Sequence, residues 1–166
     1  MSFVHLQVIS AYSLLQTTTR IEDLVRSAKA KGYQAIALTD QHVLYGQVDF
    51  FKLCKKYAIQ PILGIQLDLP GVISKDRTFP LVLLAKDFEG YKKLMALSTV
   101  RNQDASDREL LSLLEDDSSR IIAITPGEKG EIESFLNGND QENAKAASLA
   151  WKKIFTHGNF YLGVQL

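Results

Sequence analysis

Between Phe3 and Ile9 the side chains alternate, with Val4, Leu6 and Val8 on one face and Phe3, His5, Gln7 and Ile9 on the other. That period of two predicts a strand. A period near 3.6 follows: Ile21, Leu24, Val25 and Ala28 form one stripe of a helix. Thr19 and Glu22 stand at capping-box spacing before it, and Gly32 sits where a C-terminal glycine cap would end it. The run Ala35–Leu38 reads as a short buried strand, and Phe50, Leu53, Cys54 and Tyr57 as the stripe of a second helix. Strand Gln60–Leu67, a polar turn-rich loop from Pro70 to Thr78, and the continuously apolar strand Pro80–Ala85 come next. A strand apolar at every position is expected to be covered on both faces. A helix from Asp87 turns Tyr91, Leu94 and Met95 inward, and a short helix is predicted over Arg108–Glu115. Strand Arg120–Thr125, the turn Pro126–Gly127, a helix over Gln141–Phe155 and an apolar strand, Asn159–Leu166, complete the pattern.

About six strands alternating with amphipathic helices predict an α/β fold with mostly parallel pairing through right-handed crossovers. An open doubly wound sheet and an incomplete barrel both satisfy that order. One domain over residues 1–166 is the expectation from length, and the apolar strand at the C-terminus suggests a partial sequence.

Charge narrows the function classes. Nineteen basic and nineteen acidic residues cancel to a net charge of zero. Tight binding to a nucleic-acid backbone draws on a basic excess, because counterion release supplies much of the affinity. This chain is therefore not expected to be a DNA-gripping element. One cysteine, Cys54, permits no internal disulfide and fits a reducing cytosol. With no apolar run of about 20 residues and no signal-peptide pattern, the expectation is a cytoplasmic domain.

Five runs carry the chemistry: Phe3–Leu15, Ala35–Gly46, Gln60–Leu67, Pro80–Tyr91 and Ile121–Gly130. Together they resemble the PHP (polymerase and histidinol phosphatase) domain of the DnaE-type alpha subunits of bacterial DNA polymerase III. The resemblance implies a distorted seven-stranded (β/α)7 barrel, here incomplete at its C-terminus, with function at the C-terminal ends of the strands. Metal-binding members hold two or three ions there, which activate water and clamp a phosphoryl group.

At the positions matching those ligands this chain departs from the family. The L-H-x-H-S motif reads Leu6-Gln7-Val8-Ile9-Ser10; the L-L-D-G turn has Gln16 after Leu14-Leu15; T-D-H-G has Gln41 after Thr39-Asp40. The G-x-E motif reads Gly64-Ile65-Gln66, a histidine position before the fourth apolar run holds Pro80, and a loop position falls near Gly127. Ile9 has no donor atom, and neutral amides are poor ligands for hydrolytic metals. Asp40 is the one relic, at a place the family keeps beside the metal. The resemblance thus implies no catalytic residues, no metal and no cofactor in this domain, with glutamines replacing ion coordination by hydrogen bonding.

Other candidates read more simply. His5 and His42 could build a relocated site with Asp40, but a barrel-interior His5 and a loop His42 is the preferred reading, since catalytic zinc sites recruit three protein ligands. His157 lies in a turn, Cys54 on an apolar stripe, and Pro126–Gly130 lacks the G-K-[ST] end of a phosphate loop. The pairs Lys55-Lys56, Lys92-Lys93 and Lys152-Lys153 read as solvated helix faces.

The resemblance implies a parent protein performing template-directed DNA synthesis with magnesium, in which this domain is a scaffold. Its expected partners are the remaining polymerase domains and replication holoenzyme subunits, including a proofreading exonuclease; DNA would be bound by the parent. Rival readings are a metal-dependent phosphoesterase or proofreading nuclease, and a stand-alone binding protein of PHP ancestry.

Overall fold

The computed structural model describes residues 3–103 and 106–164. The chain divides into two compact units, Met1–Ile65 and Gln66–Leu166.

In the first unit, α1 (Ile21–Ala30) buries Ile21, Val25 and Ala28 along one stripe. It ends as the glycine predicts. Gly32 adopts φ +76°, its N–H donates to the Lys29 carbonyl, and the Tyr33 N–H donates to the Ala28 carbonyl. This paired closure satisfies carbonyls that the last turn leaves open. The helix start differs from expectation. Arg20 is the N-cap with no side-chain cap, while the Thr19 hydroxyl hydrogen-bonds that of Thr17 at 2.9 Å. Strand β1 (Ala35–Leu38) is followed by α2 (Gln47–Lys56) and by β2 (Gln60–Pro70), which starts in this unit. β1 and β2 pair in parallel from Ala35↔Gln60 to Leu38↔Leu63. Val25, Leu38, Phe50 and Cys54 form a core sealed from solvent. Burying each larger apolar side chain contributes about 1.5–3 kcal/mol.

The segment Phe3–Ile9 is not a regular strand. It runs beside β1, with the Ala37 N–H on the His5 carbonyl and the Thr39 N–H on the Val8 carbonyl. Three residues on one chain thus oppose two on the other, the count of a bulge. The Thr39 hydroxyl fills the gap, accepting from the Val8 N–H at 2.9 Å and donating to the Val8 carbonyl at 3.1 Å. A side chain replaces the ladder partner, so the alternation in sequence does not become a strand.

The second unit contains the remainder of β2, then β3 (Thr78–Ala85), α3 (Phe88–Asn102), α4 (Asp107–Asp116), β4 (Ile121–Ile124), α5 (Glu131–Asn137), α6 (Gln141–Ile154) and β5 (Phe160–Tyr161). Leu81 to Leu84 are all buried, as a strand covered on both faces requires. Leu94, Leu97, Leu110, Leu114, Trp151 and Phe155 fill the rest of the core.

Pairing here departs from the mostly parallel expectation. β4 pairs with β5 in parallel, but β3 and β4 are antiparallel, Val82↔Ile124 to Ala85↔Ile121. The number of connecting helices does not set the direction: α3 and α4 join the antiparallel β3 and β4, and α5 and α6 join the parallel β4 and β5. Among the described residues the strand order is β1-β2-β3-β4-β5. The last predicted strand shortens to Phe160–Tyr161, since the Gly163 N–H goes to the Thr125 hydroxyl; Gln165 and Leu166 lie outside the described residues. Helix α5 was not foreseen. Among the described residues, no helix is long and apolar enough to cross a membrane.

Candidate functional site

At the C-terminal end of β1 the chain enters Thr39 and Asp40, both buried. Asp40 Oδ1 accepts from the Ser10 N–H at 2.6 Å and from the Ser13 hydroxyl at 2.7 Å, and Oδ2 accepts from the Ser10 hydroxyl at 2.8 Å. The serines are sealed too and carry the network outward. Ser13 Oγ accepts from the Gln41 N–H at 3.0 Å, and Ser10 Oγ from the Tyr12 N–H at 3.3 Å. Both carboxylate oxygens are thus turned onto the loop that follows Ile9, closing the 10–13 turn over the end of β1. This arrangement orders a loop. It also differs from a metal cradle, which holds several carboxylate or imidazole atoms toward one point.

The other first-unit positions surround this network unequally. Ile9 and Gln41 are half-buried, whereas Gln7 and Gln16 are exposed. The Gln16 N–H donates to the Ser13 carbonyl, and Leu15 before it stands fully exposed at φ +62°. The structure joins Asp40 and Gln41 through Ser13. Exposed His5 lies against Phe3 and Tyr33, with ring centroids 4.6 and 5.4 Å away, and so does not occupy an interior. His42 is half-buried in the left-handed region, φ +63°. Cys54 is sealed in the core, and burial pushes its thiol up to about 11, the opposite of an activated nucleophile.

Sequence reasoning passed over Gln47. This buried side chain, at the first position of α2, donates through Nε2 to the Leu38 carbonyl at 3.0 Å and the Gly64 carbonyl at 2.8 Å. It ties the helix to the end of β1 and to the middle of β2. A glutamine in the first turn of a helix resembles any polar surface residue, so composition offered no signal.

In the second unit Gln66 is half-buried in β2, Pro80 lies within β3, and Gly127 is buried at φ +82° in a turn closed by the Gly130 N–H on its carbonyl. His157 is exposed in its turn, also with positive φ. The strongest polar feature here was again not foreseen. Glu131, buried at the start of α5, accepts from the backbone N–H groups of Val72, Ile73 and Ser74 at 3.1, 2.9 and 3.0 Å. The Trp151 indole N–H adds a fourth bond at 3.0 Å. Gly71 is required beside it, because a Cβ there would stand 2.7 Å from Glu131 Oε1 and 2.6 Å from the Ser74 carbonyl. Among the described residues, no group of three or more His, Cys, Asp or Glu is placed to hold a metal ion.

Residues 5–166 match the PHP domain family, a match that runs through both units, and the chain belongs to that family. It is 45% identical over 165 residues to the DNA polymerase III subunit alpha of Bacillus subtilis, and 32% identical over 171 residues to that of Halalkalibacterium halodurans. Each alignment covers 99% of this chain and 15% of the relative, so the chain spans about 15% of the length of these curated proteins. Among solved structures it is similar to an amidohydrolase from Chromobacterium violaceum, with 16% identity, 68% of this chain, 36% of that one and a TM-score of 0.44.

Proposed function

We propose that this PHP domain is part of a replicative DNA polymerase III alpha subunit, a cytoplasmic enzyme, and serves there as a metal-free scaffold without chemistry of its own. The 45% identity over 99% of the chain supports the parentage. The observation that carries the scaffold role is Asp40, whose two carboxylate oxygens are taken up by Ser10 and Ser13. With Gln7, Ile9, Gln16, Gln41, Gln66, Pro80 and Gly127 at the family's ligand positions, the residues present do not fit a two- or three-ion cluster. Neutral amides cannot balance that much charge, and Ile9 supplies no donor. Template-directed synthesis and its magnesium belong to other domains of the parent. Those domains, the holoenzyme subunits and a proofreading exonuclease are the proposed partners, and DNA is bound by the parent.

Primer extension separates the two halves of this reading. The parent chain is expected to extend a primed template with magnesium, and this domain alone to do neither extension nor phosphoester hydrolysis in manganese. Extension by the domain alone, or near-stoichiometric zinc, manganese or iron after purification without chelator, would overturn it.

A further inference from the structure

The second unit carries a groove of about 800 Å³ walled by α4, α6 and the loop between β2 and β3. Its floor is apolar and half-buried: Val72, Leu111, Ala150 and Ile154. Its rim is basic, with exposed Lys75 on the loop, Arg108 on α4 and Lys153 on α6. Two acids also line it, but Asp107 is already engaged by Arg101, 3.9 Å away, which leaves Glu115 as the opposing charge. Among the described residues, Lys75, Arg108 and Lys153 take part in no ion pair. A domain neutral as a whole therefore concentrates cations around one apolar cleft.

The wall bearing Lys75 is fixed in advance. Glu131 holds the three consecutive N–H groups of Val72, Ile73 and Ser74, so the loop has little freedom to lose when a partner binds.

We propose that this groove is a docking site for a short acidic peptide segment of a partner protein, seated by one or two bulky apolar side chains. Charge complementarity selects the acidic partner, and the apolar floor selects a peptide over a nucleic-acid backbone. A phosphate chain would leave Val72, Leu111 and Ile154 without a counterpart.

The test is selection of a random ten-residue phage-displayed peptide library on the full chain, followed by fluorescence anisotropy with synthetic peptides of the recovered sequences. The recovered peptides should combine Asp or Glu with Leu, Phe or Trp. The triple variant Lys75→Glu, Arg108→Glu, Lys153→Glu should weaken their binding by about tenfold or more, and the same peptides with lysine in place of their acids should prefer the variant. All three side chains are exposed, so circular dichroism should be unchanged; if it is not, Lys153→Glu alone serves the comparison. No enrichment, enrichment of basic sequences, or affinity indifferent to these reversals would overturn the proposal. So would a single-stranded DNA oligonucleotide whose binding, in place of the peptide's, depends on the three cations.

Discussion

Two buried carboxylates hold this domain's loops, and both are satisfied by neutral donors. Removing water from a carboxylate is costly unless hydrogen bonds replace the lost hydration. Glu131 has four such bonds and Asp40 three. All four donors on Glu131 are N–H groups that can only donate. Glu131→Gln would present an amide N–H to at least one of them, and is expected to cost about 2–4 kcal/mol. Because Trp151 is the single tryptophan, its fluorescence during urea unfolding reads both the stability and the lost indole bond. Asp40 should respond differently, since two of its three donors are serine hydroxyls that can reverse. Asp40→Asn is expected to cost about 1 kcal/mol, and Asp40→Ala about 3 kcal/mol, because it leaves Ser10 and its N–H buried without their acceptor. Equal losses in the two variants would show that the charge itself holds the loop.

At the scale of elements, helix stripes were legible in the sequence because a 3.6-residue period reports one buried face. Ile21, Val25 and Ala28 on α1 and Phe50 and Cys54 on α2 are buried where the pattern put them. Strand β3 was legible for the same reason, its unbroken apolar run marking two covered faces. The first strand was not, because alternation does not encode a bulge or a threonine standing in for backbone. Nor was the antiparallel β3–β4 pair, since the order of strands and helices does not fix direction: β4 and β5 are also joined through two helices and pair in parallel. Of the candidate positions, Asp40 and Gln41 are joined through Ser13 and Gln7 and Gln16 are exposed, while Gln47 and Glu131, which tie loops and helices together, carried no local signature. Aspartates at helix starts are a further device that composition hides. Asp87 and Asp140 cap α3 and α6 by accepting from the Gly90 and Asn143 N–H groups, and those backbone bonds hold both carboxyls below their ordinary range, with Arg120 assisting at Asp87. A lowered folded-state value means that stability is present above the ordinary aspartate range, near 4, and is lost as pH falls through the folded value. Thermal unfolding should thus drop in temperature below about pH 4. Asp87→Ala should lower the melting temperature at pH 7 and flatten that acid dependence; an acid profile identical to the parent's would remove the cap from the account.

For the whole molecule, the scaffold role proposed above would separate fold from chemistry. A metal cluster works only when most of its ligands are present together, since each ion needs several donors and the ions must balance their mutual repulsion. Loss of one ligand therefore relaxes selection on the rest, whereas the loops still need internal partners. Ser10, Ser13 and Asp40 supply such partners for the 10–13 turn. Reversal should accordingly be steep. Restoring Ile9→His alone is expected to give neither bound metal nor hydrolysis, because Gln7, Gln16 and Gln41 would still offer only amides. Ile9→His combined with Gln7→His and Gln41→His, all three in the first unit, is the smallest change expected to bring in manganese or zinc. Its signature would be metal content by elemental analysis, with folding checked independently by circular dichroism. Stoichiometric metal in the single Ile9→His variant would mean that the native residues already hold most of a site, and the scaffold reading would fall with it.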